Sequence, residues 1–315
     1  MFDVLLPVFL LIAVGWAAAR FAVVSEPGVQ ALSDTAFMLF LPALLFRSMA
    51  RTDFATFSFA APVAYFGTGL TLFLGGYFLL RRRGLAVRPA MVYAMSAIFA
   101  NTVMMGIPLV RLAFGEEGLA VLLTVIGLHS TILLTAATLV VEIGERRGGG
   151  EDDRAGFAET LAGVVRSTVL HPVILPILAG FAWSLAGLPL PGPIDATLAL
   201  LGSAAPVLCL ILLGASLVRV DPGADVRLAA RLTLAKSVLH PLAIYVAGRW
   251  LFGLEPLALA VLTVVASLPI GANVFLLSQR YRAGQAPVSA GVAMSTIASA
   301  ITIAPLLAML EVAAR

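Results

Sequence analysis

Apolar runs of about 20 residues, the length that crosses a bilayer as a helix, follow one another along almost the whole chain. Hydrophobic residues make up 61% of the 315 and charged residues 12%, and the mean hydropathy is +1.04. That combination belongs to an integral membrane protein. Ten spans are read, at 3–22, 30–49, 58–80, 90–112, 118–141, 168–187, 195–217, 228–252, 256–279 and 287–310. Turn chemistry separates them at Glu26-Pro27-Gly28, Gly84 to Pro89, Pro189 to Pro193, Asp221-Pro222-Gly223 and Gly284 to Pro287. The expected fold class is all-α.

The longest polar stretch, 142–166, contains three consecutive glycines and clustered charges, and is expected to be a flexible linker. Its later part, Phe157 to Arg166, has the composition of a short interfacial helix. The chain therefore divides into 1–141, the linker at 142–166, and 167–315. No basic residue precedes the first apolar run, so that run is expected to be a retained span rather than a signal peptide. Cys209 is the one cysteine, which precludes an internal disulfide.

Arginine placement orients the spans. Fourteen arginines lie in loops that follow odd-numbered spans, and five lie on the other side: Arg47, Arg51, Arg111, Arg249 and Arg315. By the positive-inside rule, both termini are expected outside and the linker in the cytoplasm, in a cytoplasmic (inner) membrane. The net charge of +3 reflects this topology and does not point to nucleic acid.

The two halves resemble each other weakly but in order. Ser130-Thr131 and Ser295-Thr296 lie 165 positions apart, as do Gly106 and Gly271; Pro42 and Pro206 lie 164 apart, and Trp16 and Trp183 lie 167 apart. With five spans per half, the second half enters from the opposite side, which predicts two inverted five-helix repeats.

Two stretches carry the chemistry. Span four contains Asn101, Thr102, Gly106 and Pro108; span nine contains Ser267, Pro269, Gly271 and Asn273. Proline removes a backbone donor and clashes with the preceding turn, and glycine permits a bend and close approach. Broken helices at membrane depth expose half-helix N-termini, which bind carboxylate through free N–H groups and the helix dipole. Breaks in corresponding halves point to a transporter's binding site. The substrate site is thus expected at Asn101, Thr102, Gly106, Pro108, Pro269, Gly271 and Asn273, with an organic anion between the two breaks. Either break alone would also be an ordinary proline kink.

Few ionisable groups fall inside spans. Lys236, His129 and His240 are candidates for ion coupling or anion attraction, with a proton or sodium as the coupling ion. Against that, Lys236 could snorkel to the interface and His240 could be a neutral core histidine. Asp34 reads as helix-terminal, and Arg47 and Arg111 as snorkelling residues. The hydroxyls of spans five and ten (Ser130, Thr131, Thr135, Thr138; Ser295, Thr296, Ser299, Thr302) read chiefly as helix-packing residues. There is no P-loop, no HExxH and no metal-ligand cluster in the sequence. Neither ATP-driven pumping, a cofactor nor an enzyme activity is expected.

The chain resembles the auxin efflux carrier family over nearly its whole length, in the bacterial branch described as malonate or other dicarboxylate carriers. The resemblance rests on Leu41 to Phe46, Ala100 to Pro108, Lys236 to Leu242 and, most specifically, Ser267 to Tyr281. It implies a fold similar to sodium/proton antiporters and bile-acid carriers. Spans 1, 2, 6 and 7 would form a scaffold, through which a homodimer is implied, and spans 3–5 and 8–10 a moving transport unit. The carboxylate would sit where spans four and nine cross, at Asn101, Pro108, Pro269 and Asn273. Plant members carry an acidic–basic pair in the third span, and no charge occurs here between Phe57 and Leu80. The expected function is alternating-access transport of organic anions such as malonate or auxin-like acids. An anion channel or membrane sensor using the same pocket is the competing reading.

Overall fold

The computed structural model describes residues 2–52, 59–146, 163, 166, 170, 172–219 and 225–314. Most of the linker, His171 and the Asp221-Pro222-Gly223 turn lie outside the described residues. Apart from one isolated β-bridge, the described secondary structure is helical. In order, the helices are α1 (Phe2–Arg20), α2 (Glu26–Ala50), α3 (Ala60–Arg82), α4 (Val87–Ser96), α5 (Thr102–Glu145), α6 (Ile174–Leu185), α7 (Gly192–Ser216), α8 (226–251), α9 (Pro256–Ser267), α10 (Ala272–Arg280) and α11 (Gln285–Ala314). By length and composition α2, α3, α5, α7 and α11 can cross a membrane, and α6 and α9 are shorter apolar helices.

Local chemistry sets the helix boundaries. Ser25 accepts the Gly28 N–H at the start of α2, and Asp225 accepts the Leu228 N–H at the start of α8. Gly115, with φ 68° and ψ −160°, interrupts α5, so its first part is a half-helix and its second a separate pass. Three wide π turns, Ala36–Phe40, Thr102–Gly106 and Ala235–Leu239, each end two residues before a proline: Pro42, Pro108 and Pro241. A proline lacks its N–H and crowds the carbonyl four residues earlier, and widening the preceding turn accommodates it without ending the helix.

The helices pack in two groups. α1, α2, α6 and α7 pack on one another, while α3, α4, α5 and α8–α11 form the second group. In the first group glycines let backbones touch. A Cβ on Gly15 of α1 would collide with the Ile211 carbonyl of α7, and one on Gly214 of α7 would collide with the Ile12 carbonyl of α1. A Cβ on Gly180 of α6 would lie 2.5 Å from the Phe46 carbonyl of α2. Helix association in lipid depends on such close van der Waals contact, because lipid tails are as apolar as the side chains. Arg47, read from sequence as snorkelling, instead holds Asp195 of α7 through two contacts of 2.8 and 3.1 Å, with Arg51 on the same carboxylate at 3.3 Å. Arg111 pairs with Glu116 at 2.9 Å.

Candidate functional site

The functional geometry begins where α9 stops. Pro269 disfavours helical backbone in the residue before it, and Leu268 is extended (φ −57°, ψ 154°). The chain stays extended through Gly271 (φ −70°, ψ 143°) and re-enters helix at Ala272. The partner segment leaves α4 at Ser96, passes through Phe99 and Ala100, and re-enters helix at Thr102. Ala100 and Ile270 form an antiparallel bridge at the crossing. Asn101 donates its N–H to the Pro269 carbonyl, and Gly271 donates its N–H to the Phe99 carbonyl, both at 2.9 Å. Two interrupted helices therefore satisfy each other's freed backbone groups.

Side chains satisfy others. Ser295 of α11 accepts the Ile270 N–H at 3.0 Å, and Lys236 of α8 donates to the Ala266 carbonyl near the end of α9. Asn101 caps α5 by accepting the Met104 N–H at 3.3 Å, and its amide NH₂ has no partner among the described residues. Space is also limiting: a Cβ on Gly271 would lie 3.0 Å from the Ala100 carbonyl oxygen, and one on Gly106 would lie 3.0 Å from Leu268 Cδ1.

A cavity of about 440 Å³ opens beside the crossing. Asn101, Thr102, Gly271, Asn273 and His129 line it, and its wall continues along α10 to Arg280. In the first turn of α10 Val274 donates its N–H to the Gly271 carbonyl at 3.0 Å, while the N–H groups of Ala272 and Asn273 have no acceptor earlier in their helix, so the positive end of that helix faces the cavity. Of the other residues expected at the site, Gly106, Pro108 and Pro269 do not line the cavity. Pro269 shapes the break, Gly106 provides clearance, and Pro108 lies within the half-helix behind its π turn. Lys236 and His240 are fully buried away from the cavity wall. Lys236 is therefore not snorkelling: its terminal nitrogen donates to the Ala266 carbonyl.

Sequence reasoning treated Arg280 as a loop charge and Ser295 as a packing residue. Among the described residues, Arg280 is the one side chain on the cavity wall that carries a full charge at neutral pH, apart from the titratable His129. The signal available was spacing: Arg280 lies seven residues, two helical turns, beyond Asn273 and so on the same face of α10.

A second cavity, of about 1050 Å³, is lined by Arg47, Arg51, Glu116, Glu117 and Glu255 among others. The two cavities share no lining residue. Among the described residues no group of three or more His, Cys, Asp or Glu gathers as a metal site would require.

Residues 1–307 match the model of the membrane transport protein family. The chain belongs to this family. The match extends the resemblance to auxin efflux carriers over almost the whole chain. A Rhizobium meliloti (strain 1021) protein named "Putative malonate transporter" is 28% identical over 316 aligned positions, covering 97% of this chain and 94% of that protein. A Methanothermobacter thermautotrophicus (strain Delta H) protein named "Uncharacterized transporter" is 27% identical over 217 positions, covering 68% of this chain and 67% of its own length. As a membrane transport protein, the chain is an integral membrane protein that moves a small-molecule substrate.

Proposed function

We propose that this membrane transport protein is a secondary carrier of small organic carboxylates, malonate first among them, and that the anion binds where the two broken segments cross. One observation carries the reading: a hydrogen-bonded crossing whose adjoining cavity is lined by Asn101, Asn273 and the N-terminal turn of α10. A half-helix N-terminus and amide donors favour a carboxylate without committing a full opposing charge beside it. Arg280 then draws anions along the wall. The relative named for malonate transport supports the choice of first substrate.

The same reading takes α1, α2, α6 and α7 as a scaffold and the remaining helices as a transport unit, related as inverted repeats. Alternating access moves the crossing past the scaffold, so that the two cavities serve opposite membrane faces in turn. The separate linings of those cavities support it. The positive-inside argument puts both termini outside and the Arg280 end toward the cytoplasm. A reporter active only in the cytoplasm, fused after Arg315, is expected to stay dark; a strong signal reverses this orientation. Outward movement of an anion is electrically favoured in a cell with a negative interior, by about 2.3 kcal/mol per charge per 100 mV, whereas uptake of a dianion requires a co-transported cation.

The test is counterflow of labelled malonate in proteoliposomes. A carrier saturates and exchanges labelled for unlabelled anion; a channel does neither. Asn273→Ala removes a donor to a charged ligand, a loss of about 1.5–3 kcal/mol, so the half-saturating concentration is expected to rise roughly tenfold to a hundredfold. Asn101→Ala adds a lost helix cap, about 1 kcal/mol of stability, and is expected to lower thermal stability as well. Wild-type kinetics in both variants would remove the amides from the site.

A further inference from the structure

Next to the cavity, the second helix group contains a row of buried polar atoms with no hydrogen-bond partner among the described residues. They are Tyr65 Oη on α3, His129 Nε2 on α5, and Ser237 Oγ and both ring nitrogens of His240 on α8. Tyr65, His129 and His240 are each at most 2% exposed. The Tyr65 ring lies 6.1 Å from the His129 ring and 5.6 Å from the His240 ring, so it neighbours both. Gly69 faces His240 Nε2 with no side chain of its own; a Cβ there would be 3.9 Å from that nitrogen. The Ala266 carbonyl that receives Lys236 also faces His240, without hydrogen-bond geometry. Only His129 of this group reaches the cavity wall, where it packs edge-on against Phe99 at 4.4 Å.

Unpartnered polar groups are costly inside a membrane protein, and several in one place suggest a ligand that they share. The chemistry of this set identifies it. Sodium takes hard oxygen ligands, especially carboxylates and carbonyls. Two imidazoles, an amine and a phenol instead take and pass protons.

We propose that this cluster is a proton-binding site that makes the carrier a proton–carboxylate symporter, with His129 exchanging protons with the cavity, Tyr65 relaying them and His240 holding them. The inference rests on the carrier reading. The groups facing the two imidazoles are Tyr65 from α3 and Lys236 from α8, and Arg280 of α10 shares the cavity wall with His129. With the cavity empty, the positive Arg280 on the same wall opposes protonation of His129. A carboxylate at the crossing reverses the local field and favours it. By linkage, the proton then favours the carboxylate to the same extent. Each proton carried also cancels one charge of the anion during the electrically unfavourable inward step. On the far side the anion leaves, the field reverts, and the proton passes to water from His129.

Full-length protein in proteoliposomes loaded with a pH-sensitive dye tests this directly, with labelled malonate supplied outside. The expected result is malonate entry with lumen acidification at a fixed ratio. Tyr65→Phe keeps the ring and lies off the cavity wall. His240→Gln keeps a polar side chain at the buried end. Both should lose the proton movement while retaining malonate counterflow, which needs no net charge transfer. Malonate entry without acidification in the wild type, or normal acidification in both variants, overturns the proton site and leaves the carrier standing. No malonate movement in either mode overturns the carrier reading for this anion, and the coupling with it.

Discussion

Gly271→Val is expected to slow transport about a hundredfold in a protein that still folds and inserts. The backbone at Gly271 is extended, a conformation open to any residue, so the effect is steric. A Cβ there would lie 2.9 Å from Phe99 Cδ1 and 3.0 Å from the Ala100 carbonyl oxygen, and valine adds two methyl groups beyond it. The only relief is to separate the two segments, which stretches the hydrogen bonds from Asn101 to Pro269 and from Gly271 to Phe99. Overpacking of this kind costs about 1–3 kcal/mol, which a bundle of this size tolerates. The site does not tolerate it, because α10 begins at the next residue and its first-turn donors move with the break. A displacement of about 1 Å in a positioned group can cost about a hundredfold in rate. Malonate counterflow should therefore fall by that order, with an unchanged elution profile in detergent. Near-normal counterflow would mean that the crossing is not where the anion binds.

Gly214→Leu is expected to have the opposite character, destroying the fold before function can be measured. Gly214 faces the Ile12 carbonyl and the Trp16 N–H across the α1–α7 contact, and Gly15 makes the reciprocal approach to Ile211. A leucine side chain cannot be accommodated by rotamer change, since its Cβ already collides with backbone. α1 must move away from α7, and the contact that replaces lipid packing is lost along its length. The expected outcome is aggregation or a drop in midpoint of thermal unfolding of more than about 5 °C, the shift that several kcal/mol would bring even in a domain of this size. Gly214→Ala should show the same direction with a smaller loss. A Leu variant as stable as the wild type would contradict this helix pairing.

Much of the architecture can be read from residues, and the limits of that reading are physical. The composition of the spans and the turn residues between them indicate helices and their approximate ends, because both are local properties. Pro269 marks its break correctly, since a proline acts on the residue beside it. Pro108 is different: the first segment breaks at 97–101, before Asn101 restarts the helix, and the π turn 102–106 absorbs the proline. The repeat offset of 165 drawn from Gly106 and Gly271 consequently misses the structural pairing. Ala100 bridges Ile270, and the half-helices restart at Thr102 and Ala272, both 170 positions apart. Partners across the bundle are invisible to local pattern. Nothing adjacent to Lys236 announces the Ala266 carbonyl, nothing near Arg47 announces Asp195, and nothing near Ser295 announces the Ile270 N–H. Asn101 and Asn273 were legible because an amide beside a helix break is itself a local feature, and both line the cavity.

The location of the anion can be probed by a thiol placed at the crossing. The native Cys209 is fully buried, and Cys209→Ala removes its background. Ala272→Cys puts a thiol on the cavity wall at the first turn of α10, and Glu117→Cys puts one in the second cavity. Alkylation is then timed with and without saturating malonate. Slower labelling at 272 with unchanged labelling at 117 is the expected result. Equal labelling at 272 in the presence of malonate that the same protein carries would place the anion elsewhere and contradict a binding site at the crossing.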